Sequence, residues 1–189
     1  MTGLHAFVDE SLSHTRLDPN VCILAAAVCE PADEEDLRLA MRKLLLPGQR
    51  KVHWRDESDR RREAIAKAIA VTTITNLIVV RAGQIPVRPE RRRRLTMERL
   101  IHELVQRGVD NVTMESRGKA DDARDRALLD SLRAKKLITA PLRMDHRRGA
   151  EDALLWAADA ACGAVTQDRT GNGTYLQILG ASVTLLTIE

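Results

Sequence analysis

The fold is decided by an apolar run that leads directly into two carboxylates, Leu4-His5-Ala6-Phe7-Val8-Asp9-Glu10-Ser11. The run predicts a buried strand that stops at the two acids. Val21–Cys29 is almost continuously apolar, which predicts a second buried strand. The turn signal Asp18-Pro19-Asn20 lies between the two and favours a hairpin. The chain therefore opens on a strand pair whose first strand ends in acids.

Beyond this pair, helix patterns alternate with strand patterns. Helices are predicted over residues 31–46, 58–71, 89–107, 119–133 and 149–167, and strands over 75–80, 109–114, 137–144 and 182–188. The length of 189 residues fits one domain over residues 1–189. The expected fold class is α/β, with a mixed central sheet flanked by helices. The last strand either finishes this sheet or pairs across a homodimer.

The composition excludes several classes of protein. Hydrophobic residues make up 44% of the chain, too many for a disordered protein. Only four residues are aromatic, so a base-stacking platform of the RRM or OB type is excluded and the core must be aliphatic. Arginine supplies 24 of the 30 basic residues, and the runs at 60–62 and 91–94 either hold phosphates or form solvated surface.

Targeting and redox features are sparse. The three cysteines, Cys22, Cys29 and Cys162, lie in apolar runs without framework spacing, which predicts buried free thiols. No signal-peptide pattern and no 18-residue apolar run is visible in the sequence. We therefore expect a cytoplasmic protein without a membrane association.

Asp159 is the strongest local anomaly. It is the only polar side chain between positions 153 and 165, where every other residue is apolar or glycine. A helix that is apolar on nearly every side is buried, so this carboxylate must face a partner, a metal ion or a cleft. The alternative to a functional site is a buried salt bridge to one of the many arginines.

Two further acids stand at predicted strand ends, Asp9 and Glu115. Each alone is more often a turn or cap residue, but with Asp159 they would form an oxygen-only site suited to Mg²⁺ or Mn²⁺. Two such ions roughly 3.5–4 Å apart can activate water and stabilise the leaving oxygen in phosphodiester cleavage. Zinc spacings, a Walker loop and a nucleophile elbow are absent from the sequence.

Three segments resemble the bacterial domain-of-unknown-function family 3800. They are Phe7-Val8-Asp9-Glu10-Ser11, Lys51-Val52-His53-Trp54 and Trp156-Ala157-Ala158-Asp159-Ala160-Ala161-Cys162-Gly163-Ala164. Leu12 stands where that family usually has glycine, and Trp156 stands where glutamine is common. By the order of its elements, the resemblance to this family extends over nearly the whole chain.

The resemblance implies a ribonuclease H-like fold. In that superfamily, carboxylates from the first strand, a later strand end and the last helix bind two metal ions, and those roles fall on Asp9, Glu115 and Asp159. Family members often have aspartate at the position of Glu115. A fourth acid has no certain match, and Glu57 and Glu63 are the candidates, with Glu10 or Glu57 as auxiliary ligands.

Other side chains are candidates for the same chemistry. His146 beside a metal site would assist proton transfer, unless it is an exposed turn histidine. His53 and Trp54 would contact substrate, unless the tryptophan is simply packed beside a polar neighbour. Arg117, two residues after Glu115, would orient the substrate.

Two hypotheses follow for the function. The first is a metal-dependent nuclease or related phosphoryl-transfer enzyme that acts on RNA or DNA. The second is a non-catalytic accessory protein on the same fold that binds nucleic acid or protein, and the missing fourth acid motivates it.

Overall fold

The computed structural model describes residues 3–12, 18–83 and 87–189. In chain order the elements are β1 (Leu4–Leu12), β2 (Val21–Cys29), α1 (Glu34–Arg42), α2 (Asp59–Ala70), β3 (Thr75–Ala82), α3 (Pro89–Gln106), β4 (Val109–Glu115), α4 (Lys119–Ala134), β5 (Arg143–Arg147), α5 (Leu154–Arg169), α6 (Thr174–Leu179) and β6 (Val183–Ile188). The strands form a six-stranded sheet in the order β5-β4-β1-β2-β3-β6.

The sheet is mixed, as predicted. The pairs β1–β2 and β2–β3 are antiparallel, whereas β1–β4, β4–β5 and β3–β6 are parallel. Helices α1, α2, α5 and α6 share one core cluster with Phe7 of β1. Helices α3 and α4 share another with Ala6 and Val8, whose side chains point to the opposite face of the same strand. The predicted α/β fold with a mixed sheet flanked by helices is therefore confirmed.

The first strand differs from its prediction in a way that matters for the site. β1 does not stop at the two acids but continues to Leu12, because β2 pairs with it along its length, with Asp9 opposite Ala25 and Glu10 opposite Leu24. Successive side chains in a strand point to opposite faces of the sheet. Asp9 therefore lies on the α5 face and Glu10 on the α3–α4 face.

The strand predicted over residues 137–144 was misplaced. The strand is Arg143–Arg147, and the apolar residues before it, Ile138 and Leu142, pack into the core from a loop. As an edge strand with one exposed side, β5 is built mostly of charged residues and lacks the apolar pattern of a buried strand. His146 therefore lies within a strand rather than after one.

The remaining differences are smaller. α1 ends at Arg42, before the predicted stop at Pro47, α5 begins at Leu154 rather than at 149, and the short helix α6 was not predicted. β6 pairs with β3 and so finishes the sheet, while the homodimer stays a prediction. The three cysteines are buried free thiols, as predicted. Among the helices that the structure describes, none is both long enough and apolar enough to cross a membrane.

Candidate metal centre

Three carboxylates from separate elements lie near one another on the α5 face of the sheet. The parallel register of β1 with β4 pairs Val8 with Met114, so the next residues, Asp9 and Glu115, stand side by side on the α5 face. α5 packs across β1 and β2 and brings Asp159 over the same place. One turn further along this helix, the Cys162 thiol donates to the backbone carbonyl of Asp9 at 3.3 Å. The structure thus places Glu115 and Asp159 near enough to Asp9 for their charges to act on it, while their role as a joint metal site stays a prediction.

The electrostatics of Asp9 are governed by burial and by the two neighbouring carboxylates. Burial, then the charges of Asp159 and Glu115, raise the pKa of Asp9 well above its ordinary value. The Glu10 backbone N–H, which donates to Oδ1 of Asp9 at 2.7 Å, offsets only part of this rise. Asp9 makes no ion pair with any cation in the part of the chain that the structure describes. A buried carboxylate in this position favours either a proton or a metal ion.

Asp159 is held by a neighbouring segment rather than by an arginine. Its Oδ2 accepts a hydrogen bond from the Trp54 backbone N–H at 2.8 Å and lies 2.9 Å from Nδ1 of His53. The hydrogen bond to Asp159 raises the pKa of His53, and burial opposes the rise. The sequence alone also allows a salt bridge between Asp159 and an arginine. Among the described residues, no arginine contacts Asp159 in this way.

Lys51 is a site residue that the sequence analysis did not single out. Its Nζ lies 3.2 Å from Oε1 of Glu115. Lys51 and His53 flank the buried Val52, so the extended chain directs both cations toward the carboxylates. The basic–apolar–basic order of these residues was the available signal, because a period of two in an extended segment puts both basic side chains on one side.

Gly149 closes the other side of Glu115. A Cβ at this glycine would lie 2.5 Å from Oε1 of Glu115 and 3.2 Å from Nζ of Lys51, so a larger residue would require these side chains to shift. The carbonyl of Gly149 accepts a hydrogen bond from Nε1 of Trp156 at 2.5 Å. Trp156 thereby ties the start of the α5 region to the loop that covers Glu115.

All four aromatic rings of the chain pack in the core next to this site. Phe7, Trp54, Trp156 and Tyr175 belong to one core cluster. The Trp54 ring is 4% exposed and lies edge-to-face with Tyr175 at 5.1 Å between centroids. A Cβ on Gly163, one turn after Asp159, would lie 2.1 Å from this ring. Contrary to the predicted substrate contact, Trp54 serves the site through its backbone N–H, while its ring packs in the core.

Glu10, Arg117 and His146 belong to a second charged cluster on the opposite face, here called the Arg93 network. Its members are Glu10, Arg93, Arg117, Asp121, Asp125 and His146. Arg93 binds Asp125 with two hydrogen bonds and Glu10 with a third. The structure does not bring the predicted catalytic Glu10 and His146 or the predicted substrate residue Arg117 to the three carboxylates. The reason is strand alternation, which directs Glu10 away from Asp9 and gives His146 the face of Met114, its partner in the register.

Neither candidate for a fourth acid joins the group. Glu57 is buried and accepts hydrogen bonds from Gln49 at 3.0 Å and Arg61 at 3.2 Å. Glu63 lies on the outer side of α2, paired with Lys67 at 2.6 Å. Both carboxylates are paired with other side chains near α2, which leaves Asp9, Glu115 and Asp159 as the acids of the site.

The donor set suits a hard divalent cation. All three side chains offer oxygen, the ligand that Mg²⁺ and Mn²⁺ prefer, and a cation would balance the charge that raises the pKa of Asp9. Within residues 3–12, 18–83 and 87–189, however, no three His, Cys, Asp or Glu side chains converge closely enough to hold a metal ion as they stand. The three carboxylates are therefore chemically suited to a divalent cation, but their side chains would have to move to bind one.

Comparison with known proteins shows the fold. No family model and no curated protein sequence matches the chain. Among solved structures, the chain is similar to a mutant of Bst-RNase HIII, at 16% identity and a TM-score of 0.56 over 89% of this chain and 53% of that one. It is also similar to a chain from the PCNA:RNase HII complex of Archaeoglobus fulgidus, at 18% identity and a TM-score of 0.57 over 88% and 74% of the two chains.

A third similar structure is the ribonuclease H2 from Pyrococcus horikoshii OT3, at 15% identity and a TM-score of 0.53 over 96% and 81% of the two chains. The chain spans about half the length of the RNase HIII chain. Together with the mixed six-stranded sheet, these similarities give the chain an α/β ribonuclease H-like fold.

Proposed function

We propose that the protein is a metal-dependent nuclease that hydrolyses phosphodiester bonds in RNA or DNA, with Mg²⁺ or Mn²⁺ held by Asp9, Glu115 and Asp159. The observation that supports this most is that these carboxylates lie near one another on the α5 face, with no cationic partner for Asp9 among the described residues. Catalytic roles for acids at this place agree with the nuclease-type fold. The cytoplasmic location and the homodimer remain predictions from the sequence.

Two of the three carboxylates are each oriented by a backbone N–H. The Glu10 N–H holds Oδ1 of Asp9, and the Trp54 N–H holds Oδ2 of Asp159. When bound, the divalent ions would supply Lewis-acid activation of water and charge stabilisation at the leaving oxygen. The chain supplies fixed oxygen ligands, because α5 and the strand ends are rigid elements braced by buried aromatic rings.

Substrate binding follows from the charges at the entrance. Lys51 and His53 have side chains 36% and 38% exposed, so they are accessible to a phosphate that approaches the acids. Since all four aromatic rings are buried, binding would depend on backbone phosphates rather than on stacked bases. We therefore expect weak sequence preference and a strong dependence of binding on salt.

Cleavage of labelled single- and double-stranded RNA and DNA in Mg²⁺ or Mn²⁺ tests the proposal. The Asp159→Asn variant should lose far more than the roughly 10–100-fold that is typical of residues that only support metal ligands. Asp168→Asn makes the same chemical change at an exposed position of the same helix and should cleave at the wild-type rate. Cleavage that persists unchanged in Asp159→Asn rules out this mechanism.

The second hypothesis, a non-catalytic nucleic-acid- or protein-binding accessory protein, is favoured by one observation. No fourth acid joins the three carboxylates among the described residues, since Glu57 and Glu63 have other partners. Titration of the metal-stripped protein with Mn²⁺ separates the hypotheses. A nuclease site should bind the ion and raise the melting temperature, and a binding-only protein without the ion site should do neither.

A further inference from the structure

One short segment places a basic side chain against each of two of the three carboxylates. Lys51 reaches Glu115 and His53 reaches Asp159, while the alternate residues Val52 and Trp54 anchor the segment in the core. Three acids in one place would otherwise repel one another. The segment therefore carries counter-charges whose positions are set by buried neighbours.

The contact to Glu115 is of a different kind from the contact to Asp159. Asp159 would keep the Trp54 backbone N–H if His53 turned away. Among the described residues, Lys51 is the only cation within salt-bridge distance of Glu115. Its ammonium stands on a flexible four-carbon stem and is partly exposed, so it can leave the contact by side-chain rotation alone.

Space beside Glu115 is limited. Gly149 packs close to both Oε1 of Glu115 and Nζ of Lys51 and so limits the space on this side of the carboxylate in their present positions. An ammonium and a hydrated divalent cation would therefore compete for one side of this carboxylate.

We propose that Lys51 is a built-in counter-ion of the carboxylate site, which a divalent cation displaces from Glu115 when it binds. This inference rests on the metal site of the proposed function but not on cleavage. Lys51 lowers the affinity for the ion and stabilises the protein when no ion is bound. The site therefore fills at high concentrations of the ion and stays empty at trace concentrations.

Calorimetric titration of the metal-stripped protein with Mn²⁺ tests the inference. Lys51→Met keeps an apolar stem and removes the charge, so Mn²⁺ should bind about 2–5-fold more tightly than to the wild type. The same variant should melt at a lower temperature without metal and gain more from saturating Mn²⁺. Lys51→Arg, which keeps the charge, should stay closer to the wild type in both measurements.

Lys67→Met is the matched control, because Lys67 makes a comparable ion pair with Glu63 at 2.6 Å on the outer side of α2. Its Mn²⁺ affinity should equal that of the wild type. Equal or weaker binding by Lys51→Met, with the same result for Lys51→Gln, overturns the counter-ion role while the metal site stands. If the wild type itself binds no Mn²⁺, the metal site of the proposed function fails and the counter-ion role fails with it.

Discussion

Asp9 and Glu10 are adjacent in β1, yet their carboxylates lie on opposite faces of the sheet and in opposite electrostatic surroundings. Asp9 joins Glu115 and Asp159, whose charges help to raise its pKa. Glu10 is bound by Arg93, which is 3% exposed, and is 3.5 Å from Arg117. One acid is thus poised for a cation, and its neighbour is a structural ion pair.

The Asp9→Asn variant should be at least as stable as the wild type without metal. A carboxyl group whose pKa is raised on folding stabilises the protein fully only below its unfolded pKa, and this contribution is lost as the pH rises through the folded value. The melting temperature of the wild type in EDTA should therefore fall relative to Asp9→Asn as the pH rises above about 4. Each 1 kcal/mol of relieved repulsion would raise the melting temperature of the variant by about 2–4 °C.

Saturating Mn²⁺ should reverse this order, because the wild type gains binding energy that the amide variant lacks. A large loss of stability in Asp9→Asn at neutral pH without metal would instead assign Asp9 to a buried salt bridge. Thermal melts at several pH values, with and without Mn²⁺, measure both effects.

The titration of His53 should depend on Asp159. Because the hydrogen bond to Asp159 is the largest cause that raises the pKa of His53 above its ordinary value of 6.5, Asp159→Asn should lower it. NMR titration of the imidazole in the metal-free protein measures the change. An unchanged pKa of His53 in Asp159→Asn contradicts the contact.

The stability contribution of this pair has the same direction of pH dependence as that of Asp9, but it sets in at a higher pH, near the ordinary pKa of histidine. A histidine whose pKa is raised on folding stabilises the protein below its unfolded pKa, and the effect is lost as the pH rises through the folded value. His53→Gln should therefore be destabilised most below about pH 6.5 and least at alkaline pH. Melting curves from pH 5 to 9 in EDTA test this dependence.

Gly163→Ala should destabilise the protein, although alanine normally favours a helix by roughly 0.5–1 kcal/mol over glycine. The new Cβ would meet the Trp54 ring at 2.1 Å, and overpacking of this kind typically costs about 1–3 kcal/mol. Because the Trp54 N–H holds Asp159, Mn²⁺ affinity should fall as well. Urea denaturation and calorimetry measure the two losses.

A double-mutant cycle isolates this clash. In a Trp54→Ala background the ring is absent, so Gly163→Ala should become neutral or stabilising by helix propensity. An equal loss of stability with and without the ring would show that the destabilisation has another source.

The Arg93 network should act on stability rather than on metal binding. Arg93 and Asp125 are both 3% exposed, and removal of one member of a buried ion pair costs about 3–5 kcal/mol because the other charge is left buried. Arg93→Met should therefore lower the free energy of unfolding by about this amount. Arg94→Met is the control, since its exposed pair with Glu98 should contribute no more than about 1 kcal/mol. Similar losses in both variants would contradict a structural network.

Local sequence patterns predict most of the secondary structure. β2 has the predicted bounds, and α4 and β4 agree within about one residue, because apolar runs and helical spacing report burial directly. The edge strand β5 was misplaced, since a strand with one exposed side carries few apolar residues. The arginine run at 91–94 shows the same limit, because Arg92 and Arg93 are buried rather than solvated.

Local sequence patterns predict the fold class, and they identify Asp9, Glu115 and Asp159 as candidate acids of the site. An isolated carboxylate in an apolar helix and acids at the ends of apolar strands are anomalies that local hydrophobicity reveals. Which charged side chains lie beside these acids depends on the tertiary structure. It placed Lys51 and His53 against the acids and moved Glu10, Arg117 and His146 to the other face. The physical reason is that strand alternation and register, which depend on pairing between distant segments, determine the face to which each side chain points.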